Sequence, residues 1–328
     1  MNAHARDAAS GRRRVAALGA VLVLGLAGCG GSAPAPVPAA APSTTQADGP
    51  ATSAQPVGGG DAPRVTKVLT IVEENHSLDQ MRSQMPYLAS LAARFGYADR
   101  YTAVAHPSLP NYLAIAGGDT FGVADDAAPA DHVLQGPSVF SQARDAGLTA
   151  GIWEESMAQS CQLTSDTSTR YVAKHNPWAY FADERQACQA TDVGTGFVEA
   201  AKADALPNVG MLIPNTCHDA HDGDQGCTLP DADAWLQTQL PAVLESDDFT
   251  SGALAVVVTA DEDDYKAGNT VLTVVMQAGL DGSGTVVSTP LTHYSLSRLY
   301  SQVVGAAPLR QAANAPDLAA AFRLPVSG

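Results

Sequence analysis

Apolar and polar positions form alternating blocks from residue 64 onward, and these blocks predict strands and helices in turn. Short, continuously apolar runs predict strands at residues 67–72, 149–153, 207–213, 253–259 and 271–277. Apolar residues at helical spacing predict helices at residues 85–95, 108–116, 138–146, 231–244 and 294–304. Strands without polar positions are typical of a sheet that is buried on both faces. We therefore expect an α/β domain, a three-layer sandwich in which helices cover both faces of a mainly parallel sheet.

Three of the predicted strands are followed by side chains that commonly bind metal ions. The first strand is followed by Glu73-Glu74-Asn75-His76, the third by residues 214–222 (PNTCHDAHD), and the fourth by Asp261-Glu262-Asp263-Asp264. Because the carboxyl ends of parallel strands meet at one edge of a sheet, we expect these side chains to converge. Clustered carboxylates repel one another, and a divalent cation relieves that repulsion. The pattern therefore predicts a metal site at this edge.

The first 29 residues have the composition of a signal peptide. Arg12-Arg13-Arg14 precedes an apolar run of 13 residues, 15–27, which is too short to span a bilayer comfortably. The run ends in Leu26-Ala27-Gly28-Cys29, which resembles a bacterial lipobox. We expect residues 1–29 to be a lipoprotein-type signal peptide with a lipid on Cys29. An ordinary secretory signal is the alternative, and export follows from both.

Residues 30–63 contain seven prolines among 34 residues and few large apolar side chains. Such a composition buries too little surface to offset chain entropy, so we expect a disordered tether. The remaining residues, 64–328, are within the size that one core organises, and we expect a single domain. Two segments of this domain, residues 118–132 and 159–195, lack periodicity and are expected to cover a site at the strand ends.

The charge balance is strongly acidic, with 18 Lys and Arg against 34 Asp and Glu and a net charge of −16. Removal of the leader, which carries four arginines and one aspartate, makes the net charge about −19. This charge excludes nucleic acid as a general partner and an electrostatic attachment to anionic membranes. An anionic substrate remains compatible with it if a cation sits in the site.

Beyond Cys29 the chain has four cysteines, at positions 161, 188, 217 and 227. An even number in an exported protein indicates two disulfides rather than a metal site, since no CxxC spacing occurs. Three pairings exist in principle, and the sequence order favours Cys161–Cys188 with Cys217–Cys227.

A serine stands just ahead of the helix predicted at residues 108–116. In His106-Pro-Ser-Leu-Pro-Asn-Tyr112, Ser108 is placed where backbone amides at a helix start favour a bound anion. A serine hydroxyl becomes a nucleophile when a base or a metal activates it. The alternative makes Ser108 a helix cap and Asn111 a turn residue. The neighbouring metal-type cluster favours the nucleophile.

The motifs together resemble the phosphoesterase family, which contains bacterial acid phosphatases and phospholipases C of the alkaline-phosphatase superfamily. The resemblance is carried in order along nearly the whole domain by ENHSLD at 74–79, HPSLPNY at 106–112, KHNP at 174–177, PN…HD…HD at 214–222, TADEDD at 259–264 and THYSL at 292–296. Secreted actinobacterial acid phosphatases that act on phosphoinositides are the most similar branch. The resemblance implies an alkaline-phosphatase-like fold and identifies residues 64–328 as a phosphoesterase catalytic domain.

The resemblance also implies roles for individual residues. The implied metal ligands are Glu74, Asn75, Ser108, Asp261 and Glu262. The implied catalytic residues are the nucleophile Ser108 and, as proton donor to the leaving group, His175 or His221. The implied substrate-binding residues are His106, Asn111, Lys174, His218 and His293. Two departures from the family pattern, Leu78 and Ala260, change packing rather than ligation.

These observations lead to the hypothesis of a metal-dependent phosphoric monoester hydrolase that works through a phosphoserine intermediate. The implied substrate is a phosphorylated small molecule or a phosphoinositide such as phosphatidylinositol 3-phosphate. A phospholipase C acting on diesters is one alternative, and a lipoprotein that binds metal or phosphate without turnover is another. We expect a monomer, anchored by lipid to the outer face of the cell membrane or secreted. The divalent metal is left open among Mg, Ca, Mn, Fe and Zn.

Overall fold

The structure, a computed structural model, describes residues 64–191, 196–221 and 226–326. The expected signal peptide with Cys29 and the expected tether at residues 30–63 lie outside the described residues. The strands are β1 (Lys67–Glu73), β2 (Gly96–Ala98), β3 (Tyr101–Thr102), β4 (Ala150–Glu154), β5 (Val209–Ile213), β6 (Leu254–Ala260), β7 (Thr273–Met276), β8 (Thr285–Val287) and β9 (Leu291–Thr292).

The α-helices are α1 (Leu78–Gln84), α2 (Pro86–Arg94), α3 (Ser108–Gly117), α4 (Val139–Asp145), α5 (Arg185–Ala190), α6 (Phe197–Lys202), α7 (Leu229–Leu244), α8 (Asp247–Thr250), α9 (His293–Val303) and α10 (Leu318–Phe322). Short 3-10 helices cover Ala173–His175, Pro177–Tyr180, Ala182–Glu184, Ala278–Leu280 and Arg310–Asn314. The five strands and five helices predicted from the apolar pattern are all present, with ends shifted by a residue or two.

The central sheet has the strand order β4-β5-β1-β6-β7-β2-β8, and its middle strands are parallel. Strand β1 pairs in parallel with β5 and β6, with Val68 opposite Val209 and Ala255. Strands β5 and β6 are buried along their whole length, as their continuously apolar sequences predict. The expected α/β class with a mainly parallel sheet is confirmed.

Strand β7 is the exception, because it runs antiparallel to both β6 and β2. A parallel neighbour needs a crossover connection, usually a helix. The connection between β6 and β7 contains no helix, so the chain turns back. The sheet is therefore mixed rather than wholly parallel.

Helices pack on both faces of this sheet. On one face α3, α4 and α9 pack together, with α9 against β1 and α4 against β4 and β5. On the other face α2 packs against α7 and β7, and α8 packs against β6. The Tyr300 hydroxyl of α9 donates to the Gly210 carbonyl and accepts from the Thr70 hydroxyl, which ties this helix to two strands.

Two disulfides lie in the long connections of the chain, one in the connection that follows β4 and the other in the connection that follows β5. They join Cys161 to Cys188 and Cys217 to Cys227, the pairing that the sequence order favours. Disulfides are typical of exported proteins. Among the residues described, no helix has the length and apolar character needed to cross a membrane.

Candidate active site

The carboxyl end of β1 supplies the first part of the site. Glu74 follows the strand directly, and Asn75 adopts a left-handed backbone conformation with φ 37°, which asparagine tolerates better than most residues. The Asn75 backbone N–H donates to Asp261 Oδ1 at 3.4 Å, and its Nδ2 donates to Glu262 Oε1 at 3.2 Å. The ends of β1 and β6 are therefore joined through these side chains. The convergence expected at one sheet edge is present.

Ser108 is the first residue of α3 and is almost completely buried. Its hydroxyl donates to Glu74 Oε2 at 3.3 Å and accepts a hydrogen bond from Lys174 Nζ at 3.1 Å. The hydroxyl oxygen thus lies between a carboxylate that orients its proton and an ammonium that stabilises negative charge on oxygen. A serine hydroxyl in such surroundings can be activated for nucleophilic attack, as the sequence predicts for Ser108.

The two oxygens of Glu74 face different groups. Oε2 faces Ser108 and lies 3.9 Å from Lys174 Nζ, whereas Oε1 lies 2.6 Å from His175 Nε2 and accepts from the Tyr112 hydroxyl at 3.2 Å. Burial alone would raise the pKa of Glu74, but His175 and Lys174 outweigh it and hold the pKa at about 2. Glu74 is therefore a carboxylate at neutral pH.

Glu74 also belongs to a group with the spacing of metal ligands. Ligand atoms of Glu74, His175 and Asp219 lie within 4.8 Å of one another, and all three residues are buried. The ring of His175 stacks on Tyr112 with centroids 4.9 Å apart, which fixes its orientation. Asp219 belongs to the segment 214–222 that the sequence places at the strand-end edge, and His175 is one of the two histidines predicted as proton donor. The structure brings both to the carboxylate of Glu74.

The acidic residues after β6 are buried, so their ionisation costs free energy. A bound cation would offset that free energy. Burial, with the nearby charges of Glu74 and Glu262, raises the pKa of Asp261 well above its ordinary value. Burial, with the charge of Glu74, raises the pKa of Glu262 to about 8. Neighbouring carboxyl groups that are buried away from water cannot all ionise unless a positive charge is bound among them.

The donor set fits a hard divalent cation. Within the described part of the chain, the buried atoms Asp261 Oδ2 and Asn75 Oδ1 have no hydrogen-bond partner. Buried polar atoms are normally satisfied, and carboxylate and amide oxygens are ligands that Mg²⁺, Mn²⁺ and Ca²⁺ accept. The predicted ligand set, Glu74, Asn75, Ser108, Asp261 and Glu262, is thus brought together by the contacts described above.

Besides Lys174, two of the predicted substrate-binding residues lie near Ser108. His106 Nδ1 lies 2.8 Å from Glu262 Oε2, and its ring stacks on Tyr265 with centroids 3.9 Å apart. The Asn111 side chain accepts from two backbone N–H groups, at Val104 and Ala105, and donates to the Ala105 carbonyl at 2.9 Å. Asn111 therefore holds the loop that leads into Ser108, which is the turn role that the sequence offers as the alternative for this residue.

The later histidines differ in what they contact. His218 Nδ1 lies 2.8 Å from Glu155 Oε2, and the His221 backbone N–H donates to Asp219 Oδ1 at 2.9 Å. His293 is fully buried and places Nε2 2.6 Å from the Asp261 carbonyl. A carbonyl only accepts, so Nε2 carries the proton and Nδ1 accepts from the Tyr101 hydroxyl at 3.1 Å.

The neutral state of His293 agrees with its environment. Burial lowers the pKa of His293 to about 4, so the ring is uncharged at neutral pH. Both ring nitrogens are occupied by protein groups. This geometry makes His293 a support for the backbone of Asp261, and it leaves no ring nitrogen facing a substrate.

Asp126 is a site neighbour that sequence reasoning missed altogether. It lies in the aperiodic segment at residues 118–132, and its Oδ2 accepts from Lys174 Nζ at 3.1 Å. Its Oδ1 accepts from the Leu109 backbone N–H at 2.9 Å. No local pattern distinguishes this aspartate from Asp125 beside it, because its partners come from distant parts of the chain.

Comparison with known proteins identifies related sequences and folds. The profile of the phosphoesterase family matches residues 80–305. The phosphatidylinositol-3-phosphatase of Mycobacterium tuberculosis is 31% identical over 259 residues, which cover 78% of this chain and 82% of that protein. The phosphate-repressible acid phosphatase of Penicillium chrysogenum is 30% identical over 222 residues, covering 64% of this chain and 52% of the fungal protein. The chain thus spans about half the length of this fungal relative.

A solved structure supports the fold assignment. A protein in the alkaline phosphatase superfamily from Vibrio parahaemolyticus superposes with a TM-score of 0.51 at 10% sequence identity. The superposition covers 76% of this chain and 70% of the other. At this identity the likeness concerns the fold alone, and it agrees with the alkaline-phosphatase-like sandwich that the motifs imply.

Proposed function

Since the chain belongs to the phosphoesterase family, we propose that it is a metal-dependent phosphoric monoester hydrolase in which Ser108 forms a phosphoserine intermediate. The observation that carries the proposal is the position of the Ser108 hydroxyl. It lies buried between the Glu74 carboxylate and the Lys174 ammonium, at the start of a helix and beside a cluster of oxygen ligands.

The chain's own residues account for the first step. Glu74 orients the hydroxyl hydrogen, so that an oxygen lone pair of Ser108 is directed at phosphorus. Lys174 and the amino end of α3 stabilise negative charge on the attacking and phosphoryl oxygens. A divalent cation held by Glu74, Asn75, Asp261 and Glu262 would lower the pKa of the hydroxyl and polarise a phosphoryl oxygen.

Ser108 gives its hydroxyl proton to Glu74 Oε2, the acceptor of its hydrogen bond, and the proton returns to Ser108 when phosphate is released. The bond from Ser108 Oγ to phosphorus forms as the ester bond to the leaving alkoxide breaks, and the alkoxide takes a proton from a histidine. His221 suits this role better than His175. His221 contributes to lowering the pKa of Glu74, and it is only partly buried, which supports its choice as the proton donor. His175 is enclosed by Glu74 and Tyr112 and suits ligation or positioning. The same histidine then activates water to release phosphate.

A phosphoinositide is the substrate that the comparisons favour. The Mycobacterium tuberculosis relative is named a phosphatidylinositol-3-phosphatase and is matched over most of its length. We therefore propose phosphatidylinositol 3-phosphate or a related phosphomonoester. We further propose export directed by residues 1–29, with Cys29 lipidated and residues 30–63 as tether, so that the catalytic domain works at the outer face of the membrane. The two disulfides support an exported location.

The test is hydrolysis of p-nitrophenyl phosphate by the full chain, with and without a chelator. Activity should be lost with chelator, restored by added divalent cation, and abolished in Ser108→Ala. The control Ser83→Ala changes an exposed serine of α1 and should retain full activity. Full activity of Ser108→Ala would contradict the mechanism. Bis-p-nitrophenyl phosphate, assayed in parallel, separates the monoesterase from a phospholipase C, since only the latter should prefer the diester.

A further inference from the structure

Asp126 joins the two groups that flank the nucleophile. One carboxylate oxygen binds the ammonium of Lys174, and the other binds the backbone N–H of Leu109, the residue after Ser108. We propose that Asp126 is a positioning residue of the active site, which holds the Lys174 ammonium against the Ser108 hydroxyl and fixes the helix turn that carries it. The inference rests on the proposed function, because it deepens the account of how Ser108 is activated.

The lysine needs such a partner because its long side chain is flexible. Lys174 projects from the short 3-10 helix Ala173–His175, and a lysine stem has four rotatable carbons. Its ammonium lies 3.1 Å from Ser108 Oγ and 3.9 Å from Glu74 Oε2. Without a second carboxylate, the ammonium is drawn towards Glu74, the proposed metal ligand. Asp126 lies 3.1 Å from the ammonium and supplies a counter-attraction that keeps it on the serine.

The helix that carries Ser108 also needs an external partner. The residue before the helix is Pro107, and it makes no side-chain cap hydrogen bond to the first turn. Asp126 supplies an acceptor for the Leu109 N–H from a different segment of the chain. A carboxylate at a helix amino end is stabilising in its own right. Asp126 thereby contacts both the helix turn that carries Ser108 and the ammonium of Lys174, and these two contacts set the distance between the two residues.

The segment around Asp126 is itself anchored. The Tyr180 hydroxyl donates to the Ala127 carbonyl at 2.8 Å, and Tyr180 belongs to the connection that also carries Lys174. Asp125 faces away from this contact and binds His132 instead, with its side chain 62% exposed. The neighbouring aspartates therefore have different partners, and Asp125 offers a matched control.

The test compares Asp126→Asn with Asp125→Asn in the full-length enzyme, with thermal unfolding measured for both. Asparagine replaces one of the two carboxylate oxygens by an NH2 donor, so it can offer an acceptor to the Leu109 N–H or to the lysine but not to both. We expect Asp126→Asn to lower kcat for p-nitrophenyl phosphate by about tenfold or more, because a displaced ammonium no longer stabilises the transition state fully. Asp125→Asn should change kcat by less than about twofold. A loss below about threefold in Asp126→Asn would overturn the proposal.

A double-mutant cycle separates positioning from general structural support. In the Lys174→Met background there is no ammonium to hold, and the asparagine oxygen is free to accept from the Leu109 N–H, so Asp126→Asn should then change kcat by less than about twofold. An equal loss in both backgrounds would overturn the proposal. If Lys174→Met has no measurable turnover, Asp126→Glu decides, because it keeps both oxygens and should recover most of the activity. Equal losses in Asp126→Glu and Asp126→Asn would count against positioning.

Failure of this inference is distinguishable from failure of the proposed function. If Asp126 has no positioning role, the activity still depends on Ser108 and on the divalent cation. If Ser108→Ala remains active, the proposed function itself is wrong, whatever Asp126 does.

Discussion

Replacement of Lys174 by methionine tests whether the ammonium stabilises charge on the nucleophile. Methionine fills similar space but carries no charge, so the change removes the donor that lies 3.1 Å from Ser108 Oγ. The lysine side chain is only 22% exposed, which limits screening by water. The variant therefore isolates the electrostatic contribution of one group.

The magnitude follows from the distance. Two unit charges 3.1 Å apart interact by about 5 kcal/mol at an effective dielectric constant of about 20. Part of the ammonium charge is already neutralised by Asp126 and Glu74, which reduces the net benefit at the reacting oxygen. Loss of one preorganised donor in comparable sites costs about 3 kcal/mol. We therefore expect the phosphorylation rate to fall by about a hundredfold.

The assay is rapid-quench measurement of Ser108 phosphorylation with p-nitrophenyl phosphate. Lys266→Met is the matched control, since Lys266 pairs with Asp264 at the surface with its side chain 80% exposed. The control should stay within about twofold of the native rate, as surface pairs contribute little. A phosphorylation rate in Lys174→Met within about threefold of the native enzyme would refute the electrostatic argument.

Three further predictions concern the support and the ionisation of the site. His293→Phe leaves the buried Asp261 carbonyl and Tyr101 hydroxyl without the ring nitrogens that they contact. The free energy of unfolding, measured by urea denaturation, should therefore fall by about 2 to 4 kcal/mol. An unchanged value would show that these contacts contribute nothing to stability. For Glu262, whose pKa is raised from 4.5 to about 8, the unfolded chain gives up a proton between those pH values that the folded chain retains. Stability in the presence of chelator should therefore decline as the pH rises from 4.5 to about 8, and Glu262→Gln should flatten this decline; an identical slope in the variant would contradict the assignment. Added divalent cation should raise the melting temperature of the native chain at pH 8 far more than that of Glu262→Gln, and equal shifts would argue against Glu262 as a ligand.

The sequence predicted the parts of the fold that carry strong periodicity. The apolar runs that form β1, β5 and β6 are unambiguous, and the polar residues that end them led directly to Glu74 and Asp261. Helix α1 was missed because Met81 is its only buried side chain, although the capping box of Ser77 and Gln80 marks its start. Strands of two or three residues, such as β3 and β8, are too short to show alternation.

The site was less predictable wherever a side chain acts through distant partners. Asp126 and Lys174 are 48 positions apart, and nothing in the local sequence of either indicates their contact. The sequence predicts His293 as a substrate-binding residue, yet its buried ring donates to the backbone carbonyl of Asp261. Residue type and position at a strand end predict which side chains gather, whereas the division of roles among them depends on hydrogen-bond geometry that only the folded chain provides.

The central claim is that Ser108 carries the phosphoryl group during turnover. Acid quenching of the native enzyme during p-nitrophenyl phosphate hydrolysis, followed by peptide mass spectrometry, tests it most directly. We expect a phosphoryl group on the peptide containing Ser108, absent in Ser108→Ala and absent when chelator has removed the metal. Steady turnover with no phosphopeptide, or with phosphate on another residue, would contradict it.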